Sequence, residues 1–149
     1  MRTDYPGVPE GYHTATPYLM VRDADQAVEF YRNAFGAVEL RRSVDPNGVV
    51  RNVQIKIGDS PVMLGIHPDS EVAPQPSDAL PRASIYLFVD DADRVYRQAV
   101  THGATSLYPP KDQAYGYREG GVMDPFGITW WVATTLETNR RSANEHSPR

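Results

Sequence analysis

A chain of 149 residues with 40% hydrophobic and 23% charged residues is long enough for one globular domain with a buried core. The formal net charge of −4 argues against nucleic acid or an anionic membrane as a partner, because both need a basic face. The absence of cysteine excludes disulfides, thiol nucleophiles and thiolate metal sites. Because the chain also has no apolar run of about 18 residues and no secretory h-region, we expect a cytoplasmic protein.

The predicted elements of the first half follow a glycine- and proline-rich arm at 1–12. A strand is predicted at 14–21, and Asp23 has the position of an N-cap, with Gln26 completing a capping box. Apolar residues then recur at helical spacing up to Gly36, a residue suited to ending the helix. Further strands are predicted at 37–43, 49–57 and 61–66.

The second half repeats the first. Residues 17–25 read PYLMVRDAD and residues 85–93 read IYLFVDDAD. At an offset of 68 positions, the identical pairs are Tyr18/Tyr86, Leu19/Leu87, Val21/Val89, Asp23/Asp91, Ala24/Ala92 and Asp25/Asp93. Two copies are too few for a solenoid, so the repeat predicts a duplicated β-α-β-β-β module. The second copy is expected to contain a strand at 82–89, a helix capped by Asp91 and ended by Gly103, a strand at 105–108, a loop with a short strand at 109–121, and a strand at 128–134.

The domain organisation follows from this repeat. We predict a single domain at 1–136, with one module at about 13–66 and the other at about 82–136. A segment rich in proline, serine and aspartate at 67–81 is expected to link them. Residues 137–149 are polar and have no hydrophobic periodicity, which is typical of a disordered tail.

Several motifs together resemble one known family. Each helix is preceded by Val-x-Asp, residues 30–37 read Phe-Tyr-x-x-x-Phe-Gly-Ala, and residues 124–130 read Asp-Pro-Phe-Gly-x-x-Trp. In this order, the chain resembles the vicinal oxygen chelate superfamily of glyoxalase I, extradiol dioxygenases, fosfomycin-resistance enzymes and bleomycin-resistance proteins. Short bacterial glyoxalase/bleomycin-resistance-like proteins have hallmarks similar to the segments at 12–14, 57–60 and 115–118. The resemblance implies an α+β fold in which the two modules form a strongly curved mixed β-sheet with helices on the outside.

The resemblance also implies a divalent metal, held by the first and last strands of each module. Counting from the motifs places Thr16, Leu64, Ser84 and Trp131 at these positions. None offers the imidazole or carboxylate that such a metal needs, so we expect no cofactor. The alternative is a relocated metal site formed by His13, His67 and Glu119.

Alternation along the strands predicts an aromatic cleft instead of a metal site. Its expected residues are Thr16, Tyr18, Met20, Gln54, Leu64, Ser84, Tyr86, Phe88 and Trp131, with Tyr115, Tyr117 and Arg118 on a glycine-containing loop as one wall. Trp131 is predicted to be the main stacking residue, whereas Trp130 should point to the core. The competing interpretation is that these residues fill a second small core or a dimer interface, and that Arg118 is a solvated loop charge.

These patterns favour a metal-independent binding protein that sequesters a planar or apolar organic ligand, such as an antibiotic or a metabolite. The alternative is a metal-dependent lyase, isomerase or dioxygenase-like enzyme. No catalytic residue is assigned, since the sequence lacks a Gly-x-Ser-x-Gly motif and a glycine-rich phosphate loop. We also expect a homodimer, because exposed sheet edges are normally covered.

Overall fold

The structure is a computed structural model and describes residues 6–66 and 83–136. The chain divides into two compact units at residues 73 and 74. The predicted linker at 67–81, including His67, and the predicted tail at 137–149 lie outside the described residues.

The first module has the predicted order of one strand, one helix and three strands. Its sheet has the order β1-β4-β3-β2, in which β1 and β4 are parallel and the other pairs are antiparallel. The elements are β1 (Tyr18–Val21), α1 (Ala24–Phe35), β2 (Val38–Val44), β3 (Val50–Ile57) and β4 (Ser60–Ile66).

The second module has the same topology. Its sheet has the order β5-β8-β7-β6, again with one parallel pair, β5 and β8. The elements are β5 (Ile85–Phe88), α2 (Ala92–Thr101), β6 (Thr105–Asp112), β7 (Tyr117–Met123) and β8 (Thr129–Thr135). The α+β class with two tandem β-α-β-β-β modules is therefore confirmed, and each module has a four-stranded mixed sheet.

Local capping chemistry sets the ends of both helices. The Asp23 side chain accepts a hydrogen bond from the backbone N–H of Gln26 at 2.9 Å, and Asp91 accepts one from Arg94 at 3.1 Å. Gly36 ends α1 in the left-handed conformation, with a φ of 72°. In α2, the C-cap is His102, and Gly103 follows it. Within the described residues, neither helix is long and apolar enough to cross a membrane.

One face of each sheet packs against the helix of its own module. In the first module, Val53, Ile55 and Leu64 are fully buried on this face. In the second module, Val122, Trp130 and Val132 are fully buried. Two contacts identify the helix side of the second sheet, one between Arg118 and Asp93 and one between Thr134 and Ala92.

The prediction that Leu64 shares a face with Tyr18 is wrong. Tyr18 lies opposite Met63 in the parallel β1–β4 pair, whereas Leu64 lies opposite Leu19 and Val53. Because side chains alternate along a strand, this difference of one residue places Leu64 in the core beneath α1.

The segment at 109–121, predicted to be a loop with a short strand, instead contains the end of β6 and most of β7, joined by a turn at 113–116. Pro109 and Pro110 are accommodated because β6 is an edge strand. On its open side there is no further strand whose carbonyl groups would need a backbone N–H from β6. The β6–β7 register shifts between Tyr108 and Lys111, and Gly120 leaves room for Pro110 at this irregularity. The first strands of the modules are shorter than predicted, since they begin at Tyr18 and Ile85.

Candidate functional site

The face of the second sheet that points away from α2 carries all but one of the predicted site residues of the second module. The register aligns Tyr86 of β5 with Trp131 of β8, and Trp131 with Gly121 of β7. Trp131 is partly exposed on this face, whereas Trp130 is fully buried on the other. The predicted opposite orientation of the two tryptophans is therefore confirmed. We call this surface the aromatic face; it consists of Ser84, Tyr86, Phe88, Tyr108, Tyr115, Tyr117, Glu119 and Trp131.

A buried carboxylate lies within the aromatic face. Glu119 of β7 has only 4% of its surface exposed. Its Oε2 accepts hydrogen bonds from the hydroxyls of Tyr86 and Tyr115, the latter at 2.9 Å, and its Oε1 accepts one from Tyr108. Three phenols from β5, β6 and the turn before β7 thus converge on one carboxylate.

These hydrogen bonds keep Glu119 ionised. Burial by itself would raise the pKa of Glu119, but the hydrogen bonds from the three tyrosines outweigh it and hold the pKa below the ordinary value. The pKa values of Tyr86 and Tyr108 are raised, first by desolvation and then by their hydrogen bonds to Glu119. At neutral pH, the cluster is therefore one carboxylate held by neutral phenols.

Aromatic rings surround this carboxylate in mutual contact. Tyr86 and Tyr117 have centroids 6.0 Å apart, and Phe88 packs against both at 5.1 Å. Tyr115 meets Tyr117 edge to face at 5.8 Å. Phe88 and Tyr115 remain 58% and 57% exposed, so the rings form a surface rather than a closed core.

Two contacts fix the indole ring of Trp131. Its Nε1–H donates to the Ser84 hydroxyl at 2.8 Å, and its ring stacks on Tyr108 at 6.0 Å with an interplanar angle of 25°. Gly121 makes this position available, because a Cβ at that residue would approach the indole within 2.8 Å. The orientation of the indole ring is thus fixed by contacts within the module.

Tyr108 of the aromatic face and the neighbouring Gly121 were not predicted, and Glu119 was predicted only as a ligand of the alternative metal site. All three residues lie in the β6–β7 strand pair. Alternation of Tyr117, Glu119 and Gly121 in the sequence would have placed them on one face if the segment had been recognised as a strand. The adjacent glycines and prolines hid this pattern.

Arg118 is not brought together with the other predicted residues. It points to the helix side of β7, where its guanidinium binds Asp93 of α2 at 2.6 and 3.0 Å and Asp112 at 3.1 Å. The hydrogen bonds from Arg118 hold the pKa of Asp93 below its ordinary value. Arg118 therefore connects the sheet to its helix.

Apart from Leu64, the predicted site residues of the first module lie on the corresponding face of its own sheet or just before β1. Tyr18 and Met20 are 53% and 40% exposed, and Thr16 is partly buried. Gln54 accepts a hydrogen bond from the Tyr12 hydroxyl through its Oε1. Tyr18 covers Gly65, which has no side chain to obstruct the ring.

The residues at the family's metal positions do not fit a divalent cation. Ser84 already accepts the indole N–H of Trp131, and Leu64 is a core residue. In the described part of the chain, no group of three histidine, cysteine, aspartate or glutamate residues is placed to hold a metal. His13 is exposed, and the Glu119 carboxylate is engaged by the three tyrosines.

Comparisons with known proteins agree with this fold. The sequence profile of the Glyoxalase/Bleomycin resistance protein/Dioxygenase superfamily matches residues 12–132. An uncharacterized protein of Mycobacterium bovis is 36% identical over 120 residues, covering 77% of this chain and 78% of that protein. TioX from Micromonospora sp. ML1 has a TM-score of 0.63 at 22% identity, over 83% of this chain and 97% of TioX. The fosfomycin resistance protein FosX from Mesorhizobium loti has a TM-score of 0.60 at 20% identity, over 87% of this chain and 97% of FosX. The predicted resemblance is confirmed, and the chain belongs to the glyoxalase/bleomycin resistance protein/dioxygenase superfamily.

Proposed function

We propose that this protein binds a planar or apolar organic molecule on the aromatic face of its second module, without a metal. The observation that carries the proposal is the Trp131 ring, which is held by Ser84 and Tyr108 yet remains partly exposed. A positioned aromatic ring loses little conformational freedom when a ligand stacks on it, so stacking contributes to affinity with a small ordering cost.

Sequestration of an antibiotic or a metabolite is the role we propose for this binding. The family includes bleomycin resistance proteins, and FosX, a structural neighbour, is a fosfomycin resistance protein. The aromatic face offers rings, hydroxyls and a carboxylate engaged by three tyrosines, but no activated nucleophile, which supports binding rather than chemistry. A cytoplasmic location and a homodimer belong to the same proposal.

The two adjacent tryptophans provide a matched test. Trp131→Ala should weaken the binding of N-methylquinolone, a planar neutral probe, by about 1–3 kcal/mol, with a smaller loss of stability. Trp130→Ala should instead lower the free energy of unfolding by about 3–5 kcal/mol, because its ring is fully buried. Calorimetric titration and denaturant melts measure the two effects.

Leu107→Ala is the control for the titration, since Leu107 is an exposed apolar residue of β6 outside the aromatic face. It should bind the probe like the wild type. If Trp131→Ala also binds like the wild type, the aromatic face is not the binding site. If the wild type binds no planar probe at millimolar concentration, the proposed function is wrong.

A further inference from the structure

We infer that the aromatic face selects a positively charged organic ligand, with Glu119 as its counter-ion. The ligand class is a planar or compact molecule that carries a quaternary or protonated nitrogen. This inference rests on the proposed binding function and adds the charge of the ligand to it.

The negative charge of Glu119 is not compensated by a cationic side chain of the described residues. Its hydrogen-bond donors are three neutral phenols. Across residues 6–66 and 83–136, the ion pairs join arginines to other carboxylates, and none includes Glu119. Lys111 lies opposite Glu119 in the β6–β7 register, but it is exposed and forms no ion pair with it. The aromatic face therefore has one negative charge at its base.

The negative charge of Glu119 is also poorly screened by water. Glu119 is 4% exposed, so little water surrounds its carboxylate. A charge removed from water acts more strongly on a neighbouring group than an exposed charge does. A cation bound among the rings would supply the partner that the described residues do not provide, whereas an anion would be repelled.

The tyrosine rings around Glu119 themselves favour a cation. The hydroxyls of Tyr86, Tyr115 and Tyr108 donate hydrogen bonds to the Glu119 carboxylate, which increases the electron density of each ring. The negative faces of aromatic rings attract cations, and rings grouped around a site are the usual means of binding quaternary ammonium ligands. Exposed rings above a buried carboxylate combine both attractions at one place.

A structural role for the cluster is the competing explanation. Glu119 connects β5, β6 and β7 through its tyrosines, and that connection alone would stabilise the sheet without favouring any ligand. The two explanations differ in one respect, because only a counter-ion distinguishes probes of equal shape and different charge.

The experiment compares three planar bicyclic probes by calorimetric titration of the full chain. N-methylquinolinium is the cation, N-methylquinolone the neutral probe and naphthoate the anion. The wild type should bind the cation at least about tenfold more tightly than the neutral probe, the effect expected from a cation–π contact together with a nearby carboxylate. Naphthoate should bind most weakly.

Two variants with the same change of net charge complete the design. Glu119→Gln should lose the preference for the cation, so that the ratio of the affinities for the cation and the neutral probe falls from about ten to about one. Asp90→Asn removes an exposed carboxylate that pairs with Arg94 at 2.7 Å, and it should keep the preference. Circular dichroism establishes that each variant is folded.

The outcomes separate the two proposals. Equal binding of cation and neutral probe by the wild type overturns the inference but leaves the proposed binding function intact; this comparison needs no variant. A preference for the cation that persists in folded Glu119→Gln also overturns the inference. Failure of all three probes to bind the wild type overturns the proposed function and the inference with it.

Discussion

Glu119 shows how a single residue determines the character of the candidate site. A carboxylate on the inner part of a sheet face is costly unless it is well hydrogen-bonded. Three tyrosine hydroxyls supply these bonds, and they bring the Glu119 pKa below its ordinary value although desolvation acts to raise it. The charge is thus retained where burial alone would favour neutralisation.

This balance predicts a pH-dependent difference between the wild type and Glu119→Gln. The ordinary pKa of a glutamate is 4.5, and the folded protein lowers the pKa of Glu119, so the ionised form contributes stability above that value. The contribution is lost as the pH falls through the lowered pKa. At about pH 7, Glu119→Gln should cost about 1–3 kcal/mol, and the cost should shrink by about pH 3.

Urea melts of both proteins at the two pH values measure this difference. The other carboxylates titrate alike in the two proteins, so the comparison isolates Glu119. A cost that stays constant over this range would contradict the assignment of Glu119 as an ionised, hydrogen-bonded group.

At the scale of elements, side chains alternate along β7, so its two faces have different roles. Glu119 belongs to the aromatic face and Gly121 lies on the same side of the sheet, while Arg118 and Gly120 lie on the helix side. The neighbouring edge strand β6 approaches closely where its register shifts, and it brings Tyr108 to both Glu119 and Trp131. The irregular β6–β7 pair therefore positions the site.

Gly120→Ala should disturb this pair. A Cβ at Gly120 would lie 2.9 Å from the Pro110 nitrogen and 3.0 Å from its ring, too close for ordinary contact. We expect a loss of about 1–3 kcal/mol in the free energy of unfolding, as for other overpacked sites. Adding Pro110→Ala should restore part of this loss, and denaturant melts of the single and double variants test it. Equal losses in both would show that the contact with the proline ring is not the cause.

At the scale of the whole molecule, the chemistry at the family's metal positions leads to a further prediction. Hydroxyls of Thr16 and Ser84 and the indole of Trp131 are not ligands for Zn, Ni, Mn or Fe. Purified protein should contain no stoichiometric divalent metal by elemental analysis. About one such ion per chain, retained after dialysis against a weak chelator, would contradict this prediction and favour an enzyme.

The assembly is a separate prediction. Both sheets end in an edge strand, and Val38, Leu40 and Val44 on the β2 edge are 62%, 48% and 56% exposed. Because exposed apolar edges are normally covered, we expect a homodimer of twice the chain mass of 16.6 kDa. Light scattering at micromolar concentration measures the mass, and a value of 16.6 kDa would indicate a monomer.

The sequence by itself determined the features that depend on neighbouring residues. Asp23, Gly36 and Asp91 marked helix ends, because capping acts over three or four residues. The internal repeat identified the two modules, and strand alternation gave Trp130 and Trp131 opposite orientations. These are local patterns, and the folded protein retains them because they do not depend on contacts between distant parts of the chain.

Only the tertiary structure decided the features that depend on register between distant strands. Tyr86 and Glu119 are 33 residues apart in sequence, and the pairing of β5, β8 and β7 brings them together. A difference of one residue in the β1–β4 pairing moved Leu64 from the expected cleft to the core. Register is set by hydrogen bonding and packing across the whole sheet, so no short segment of sequence contains it.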